Sequence, residues 1–147
     1  MERADIAIIG TGPGGVSAAL TAKVRNKNIL LIGKKQMSDK VSKAHQIMNY
    51  PGLPAVTGAQ MAETFEKQLA MMEIDITDSR IGTVYAMGDY FAIQAGEEML
   101  EAESVILACG VVSGKTLPGE DEFLGRGVSY CATCDACFYK GKKAAVI

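Results

Sequence analysis

Two thiols three positions apart, Cys131 and Cys134, are followed directly by an acid, Asp135, in the run Ser129-Tyr130-Cys131-Ala132-Thr133-Cys134-Asp135-Ala136-Cys137. On a helical turn, residues at this spacing share a face, so the two sulfurs can meet. Such a pair can open and close as a disulfide with little movement of the backbone. A helix beginning at this turn would stabilise a thiolate on Cys131 through its dipole. The thiolate is the attacking species in thiol–disulfide exchange, which makes Cys131 reactive near neutral pH. Asp135 can hand a proton to a departing thiolate.

Other chemistries compete for the same residues. Cys137 extends the run to C-x-x-C-x-x-C, and Cys109 offers a fourth sulfur for zinc or an iron–sulfur cluster. The ferredoxin pattern expects a further Cys before a Pro, and Gly141 stands where that Cys would fall. Structural zinc usually takes two separated pairs, or Cys with His, and His45 is the single histidine. No metal is therefore expected, although elemental analysis is the direct check on that module. Ordinary buried thiols are the remaining alternative.

A redox pair needs an electron supply, and the start of the chain offers one. Ala4 to Ile9 is an apolar run that reads as a buried parallel strand. It feeds Gly10-Thr11-Gly12-Pro13-Gly14-Gly15, in which Gly10, Gly12 and Gly15 satisfy G-x-G-x-x-G. Gly10 allows the tight turn, Gly12 admits a pyrophosphate, and Gly15 lets the helix pack on the strand. A helix over Val16 to Arg25 would point its N-terminus at the phosphates. A second strand over Asn28 to Ile32 completes a β-α-β unit. This predicts dinucleotide binding. The acid that often ends the second strand and holds a ribose is absent, because Gly33-Lys34-Lys35 stands there.

The bulk numbers fit this reading. The chain of 147 residues suits one well-buried domain, or one domain and part of another. Its apolar fraction of 48% is that of a soluble globular protein. A net charge of −2 favours no nucleic-acid or anionic-membrane partner. No apolar run approaches the ~20 residues of a membrane span, and the first residues lack the pattern of a signal peptide. A cytoplasmic, reducing setting is expected, in which C-x-x-C reads as redox-active or metal-binding.

The remaining segments predict the scaffold. Val41 to His45 suggests a short helix, and Asn49 to Pro54 a rigid turn. Thr57 caps a helix from Gly58 to Met72, with Met61, Phe65, Leu69 and Met72 as its core stripe. Ile81 to Met87 and Tyr90 to Gln94 form a hairpin around Gly88-Asp89. A turn at Ala95 to Glu98 and a short strand to Ala102 complete a three-stranded meander. Ser104 to Ala108 then returns as a buried strand. Val111 to Glu122 reads as a linker or hinge. Ala144 to Ile147 resembles the first strand of a further β-α-β unit, so an incomplete sequence is expected. The fold class is α/β: a doubly wound, Rossmann-like domain with an antiparallel meander, then the start of a second α/β nucleotide-binding domain.

With these residues in hand, the chain resembles the N-terminal half of low-molecular-weight thioredoxin reductases. The match rests on Leu117-Pro118-Gly119-Glu120, on Gly125 through Asp135, and on Phe138-Tyr139-Lys140-Gly141-Lys142. The glycine loop, Asn49-Tyr50-Pro51-Gly52 and Ala108-Cys109-Gly110 support it. The resemblance implies a first FAD-binding segment at residues 1–112, a hinge at 113–118, and at 119–147 the start of an NAD(P)H-type domain carrying the C-x-x-C. It implies cofactor contacts at Gly10, Gly12, Pro13, Gly14, Gly33, Lys34, Asn49, Val84, Ala108 and Gly110. It implies electron flow from NADPH through FAD and the Cys131–Cys134 disulfide to thioredoxin, in a homodimer. Cys134 would face the flavin, Cys131 would attack thioredoxin, and Asp135 would protonate the leaving thiolate. Some relatives of this kind use ferredoxin as donor. An inactive fragment is a further alternative. Cys137 reads as a packing residue, with a rival resolving thiol as the alternative.

Overall fold

The computed structural model describes residues 3–36, 39–42, 44–111, 116–123, 126–130 and 136–146. Side chains at 39, 40 and 121 lie outside that description. A six-stranded mixed sheet forms the centre of the fold. Its strands are β1 (Ala4–Ile9), β2 (Ile29–Gly33), β3 (Ile76–Asp78), β4 (Ile81–Ala86), β5 (Phe91–Ala95) and β6 (Glu98–Leu107), in the spatial order β3-β2-β1-β6-β5-β4. β1 pairs in parallel with both β2 and β6, and β2 with β3. β5 is antiparallel to β4 and to β6.

Strand alternation sends neighbouring β1 side chains to opposite faces, and each face has its own core. Ile8 belongs to a cluster with Leu31, Val16, Met61, Phe65 and Leu69. Ala7 and Ile9 belong to another with Ile32, Ile93, Leu100 and Ala102. Helix α1 (Pro13–Val24) buries Gly15, Val16, Ala19 and Ala22. It starts earlier than its composition suggests because Pro13 fits the first helical turn, where no backbone N–H is needed.

Helix α3 (Gly58–Met71) follows the short α2 (Asp39–Ser42). Thr57 caps α3 as expected. Its hydroxyl accepts from the Gln60 N–H at 3.2 Å, and the Gln60 side chain accepts from the Thr57 N–H at 2.8 Å. Met61, Phe65 and Leu69 are buried, and Met72 packs beside them. The Tyr50 ring meets Phe65 edge-on, with centroids 5.5 Å apart.

Several expectations need correction. α2 ends at Ser42, so His45 is not helical. The chain instead turns towards α3, where the Gly58 N–H donates to the Ala44 carbonyl at 2.8 Å. The short strand to Ala102 and the strand from Ser104 are one continuous strand, β6. It changes partners midway: Ala102 aligns with Phe91 of β5 and with Ala4 of β1. The meander is therefore part of the main sheet. The end of β6 is not buried, as Leu107 is 71% exposed. Residues 144–146 form no strand, since a strand needs a neighbour to complete its ladder. Ile147 lies outside the described residues.

Candidate functional site

The glycine loop leaves β1 at its C-terminal end and opens α1. This is the edge of a parallel sheet where α/β folds bind ligands. The four glycines of the loop divide by cause. A β-carbon on Gly10 would stand 2.1 Å from the Ala108 carbonyl oxygen, and Gly10 has φ +121°. A β-carbon on Gly15 would stand 1.7 Å from the Gly10 carbonyl oxygen. These two glycines are required by the fold itself.

Gly12 and Gly14 are different. A β-carbon at either would meet nothing within 4 Å. Gly12 has φ −78°, a value open to any residue. Neither packing nor backbone strain explains a glycine there, whereas close approach of a ligand does. The ledge lies at the N-terminus of α1, where unpaired backbone N–H groups suit an anion. It fits a dinucleotide pyrophosphate.

Gly33 ends β2 beside this ledge. A β-carbon on it would stand 2.9 Å from Thr11 Cγ2. Thr11 is 5% exposed, and its hydroxyl donates to the Lys34 carbonyl at 2.9 Å. Thr11 therefore occupies the space into which a side chain at position 33 would begin. Sequence reasoning missed Thr11; its place between Gly10 and Gly12 was the available signal. Ala108 joins the group through its N–H, which donates to the Ile9 carbonyl at 2.8 Å. Gly110 follows with φ +69°.

The structure thus brings Gly10, Gly12, Pro13, Gly14, Gly33, Lys34, Ala108 and Gly110 to the ends of β1, β2 and β6. Asn49 is exposed in the turn before α3. Val84 lies on β4, the far edge strand, and packs against the second core cluster.

Cys131, Cys134 and Asp135 lie outside the described residues, as do residues 113–115 of the expected hinge at 113–118. Their flanks are described. A 3₁₀ turn covers Ala136–Tyr139. Helix α4 (Glu120–Phe123) precedes the motif. Glu120 is 7% exposed. Its carboxylate accepts from the Leu117 N–H at 2.8 Å and from the Tyr130 hydroxyl. Cys109 and Cys137 are exposed, and the Cys109 thiol approaches the Ile9 carbonyl at 3.8 Å. The metal reading would also need Cys131 and Cys134, so it too falls outside the described residues.

A glycine ledge at the carboxyl ends of parallel strands is the arrangement by which α/β proteins of the doubly wound class receive nucleotides. Comparison with known proteins narrows the class. Residues 4–147 match the family described as pyridine nucleotide-disulphide oxidoreductase, and the chain belongs to it. It is 39% identical over 145 residues to a thioredoxin reductase of Treponema pallidum, covering 97% of this chain and 47% of that protein. It is 33% identical over 144 residues to the thioredoxin reductase of Bacillus subtilis, covering 97% and 46%. Among solved structures, a ferredoxin-flavin thioredoxin reductase from Clostridium acetobutylicum aligns at TM-score 0.76 with 50% identity, over 95% of this chain and 48% of that one. A thioredoxin reductase from Streptococcus pyogenes aligns at TM-score 0.83 with 31% identity, over 93% and 45%. The chain spans about half the length of these relatives. The six-stranded sheet with its helices matches the Rossmann-like FAD-binding domain of thioredoxin reductases. Among the described residues, no helix is long and apolar enough to cross a membrane.

Proposed function

We propose that this chain is the amino-terminal part of a flavin-dependent thioredoxin-disulfide reductase. The observation that carries the reading is the open ledge at Gly12 and Gly14, on a chain that also carries Cys131-Ala132-Thr133-Cys134-Asp135. Residues 1–112 would be the first FAD-binding segment, 113–118 the hinge, and 119–147 the start of the NAD(P)H-type domain. Gly12 and Gly14 would hold the pyrophosphate through backbone N–H groups; Gly10, whose own N–H donates to the Ile32 carbonyl at 2.8 Å, and Pro13, which has none, would shape the turn. Gly33, Lys34, Asn49, Val84, Ala108 and Gly110 would line the rest of the cofactor's path. FAD, when bound, supplies a two-electron relay between donor and disulfide.

The chain's own part is thiol exchange. The Cys131 thiolate attacks one sulfur of thioredoxin's disulfide and forms a mixed disulfide, releasing the other sulfur as a thiolate. Asp135 supplies the proton that neutralises it. Cys134, as thiolate, then attacks Cys131 and releases the second thioredoxin sulfur. Two thiols of this chain are oxidised as one thioredoxin disulfide is reduced. The protein would act in the cytoplasm as a homodimer.

NADPH is the donor implied by the first resemblance. Reduced ferredoxin is a second reading, favoured by 50% identity to a ferredoxin-flavin thioredoxin reductase. Visible absorption of the flavin-loaded protein tests both. Bleaching by NADPH supports the first, and bleaching by reduced ferredoxin alone supports the second. Cys131→Ser and Cys134→Ser should each retain flavin and lose thioredoxin reduction. Full activity in both variants would overturn the assignment.

A further inference from the structure

The acid that many nucleotide-binding folds place at the end of the second strand has no room to stand there in this chain. Gly33 holds that position, and a β-carbon on it would stand 2.9 Å from Thr11 Cγ2 and 3.1 Å from Thr11 Oγ1. Thr11 is itself held, because its hydroxyl donates to the Lys34 carbonyl at 2.9 Å. The end of β2 is thus a flat floor beside the glycine ledge.

An acid stands one strand over. β3 runs parallel to β2, with Leu31 aligned to Ile76, Ile32 to Thr77 and Gly33 to Asp78. Leu31 and Ile76 both pack in the core cluster that receives Val16 and Ala19 of α1. Side chains two apart along a strand share a face, so Asp78 lies on the α1 side of the sheet, level with Gly33. Its Oδ1 accepts from the Lys35 N–H at 3.4 Å, which draws the carboxylate towards the chain leaving β2. Asp78 is exposed, and among the described residues no donor meets Oδ2.

In an adenine dinucleotide the ribose is bonded directly to the pyrophosphate. A pyrophosphate on Gly12 and Gly14 therefore puts the sugar over the neighbouring strand ends, where its hydroxyls need an acceptor. A charged acceptor makes the stronger bond. We propose that Asp78 of β3 holds the ribose 2′-hydroxyl of the adenosine half, in place of the acid missing from β2, with Gly33 and Thr11 as the floor beneath the sugar. This rests on the dinucleotide reading of the glycine ledge given above.

The test uses the chain freed of any flavin and two probes, adenosine diphosphate and 2′-deoxyadenosine diphosphate, titrated by calorimetry. The native chain should bind the ribose form about tenfold more tightly than the deoxy form, as one hydrogen bond to a charged group provides. Asp78→Ala should bring that ratio to about twofold or less without weakening the deoxy form. Asp78→Asn, which keeps an acceptor for the Lys35 N–H and for the sugar, should lie between them. A merely structural role would weaken both nucleotides alike and leave the ratio intact. A ratio unchanged in both variants would overturn the assignment, as would a native chain that binds the two nucleotides equally. A native chain that binds neither would overturn the dinucleotide reading itself, so the two failures are distinguishable.

Discussion

Gly15 packs so closely on Gly10 that a β-carbon at residue 15 would stand 1.7 Å from the Gly10 carbonyl oxygen. This contact sets how near α1 lies to the end of β1, and so where the helix N-terminus points. Gly12, three residues earlier, faces open space. The two glycines should therefore fail in different ways. Gly15→Ala should cost about 3 kcal/mol or more, as an overpacked site between two backbone segments. Gly12→Ala should cost about 1 kcal/mol or less in stability, as a changed N-cap, yet weaken FAD binding about tenfold or more. Urea unfolding and flavin fluorescence titration separate the two losses.

Thr11 and Gly33 should show energetic coupling. Gly33→Ala places a methyl against the Thr11 side chain and should destabilise the chain. Thr11→Ala removes the two nearest obstructing atoms, Cγ2 and Oγ1, and leaves the residue 11 backbone nitrogen at 3.2 Å; it also loses the hydroxyl bond to the Lys34 carbonyl. The double variant should be less damaged than the sum of the singles, with a coupling of about 0.5–3 kcal/mol in a double-mutant cycle. Strict additivity would mean that the two residues do not meet.

The cap and core of α3 give a graded pair. Thr57→Ala removes the acceptor for the Gln60 N–H and should cost about 1 kcal/mol. Phe65→Ala empties a buried site beside Tyr50 and should cost about 3–5 kcal/mol. Denaturant midpoints at constant m-value check both.

Glu63 provides a small acid-dependent effect. The hydrogen bond from Lys67 Nζ at 2.6 Å, and that ammonium's charge, hold its carboxyl below the usual range. A carboxyl with a depressed folded pKa adds stability above its unfolded pKa and loses it as the pH falls through the folded value. Lys67→Met should therefore be slightly less stable than the native chain at neutral pH. The difference should close in acid and shrink with salt, because the pair is exposed. Side-chain NMR titration should show the Glu63 pKa rising in Lys67→Met.

Much of this fold could be read from local rules. The apolar run before Gly10 and the helix after it marked the β-α-β unit, and Thr57 with Gln60 marked the start of α3. Gly88, at φ +102°, marked the hairpin. β6 was harder. Glu101 and Glu103 interrupt its apolar pattern, yet both are exposed while Leu100 and Ala102 are buried. Simple alternation explains the first half, and a change to a parallel partner explains the rest. Local pattern does not report such an exchange, because the partner is a strand about a hundred residues away. In the site, the motif spacing identified the glycines but could not separate those filled by the fold from those left open. Thr11 filling the space at Gly33, and Glu120 joining Leu117 to Tyr130, depend on tertiary contact. Neither has a periodic signature.

The most direct test of the central claim is a single-turnover exchange between the reduced chain and oxidised thioredoxin, with disulfides mapped by peptide mass spectrometry. The account predicts that each chain reduces one thioredoxin disulfide and gains a Cys131–Cys134 bond. Cys134→Ser should accumulate a mixed disulfide through Cys131. No exchange, or a mixed disulfide through Cys109 or Cys137 instead, would contradict it.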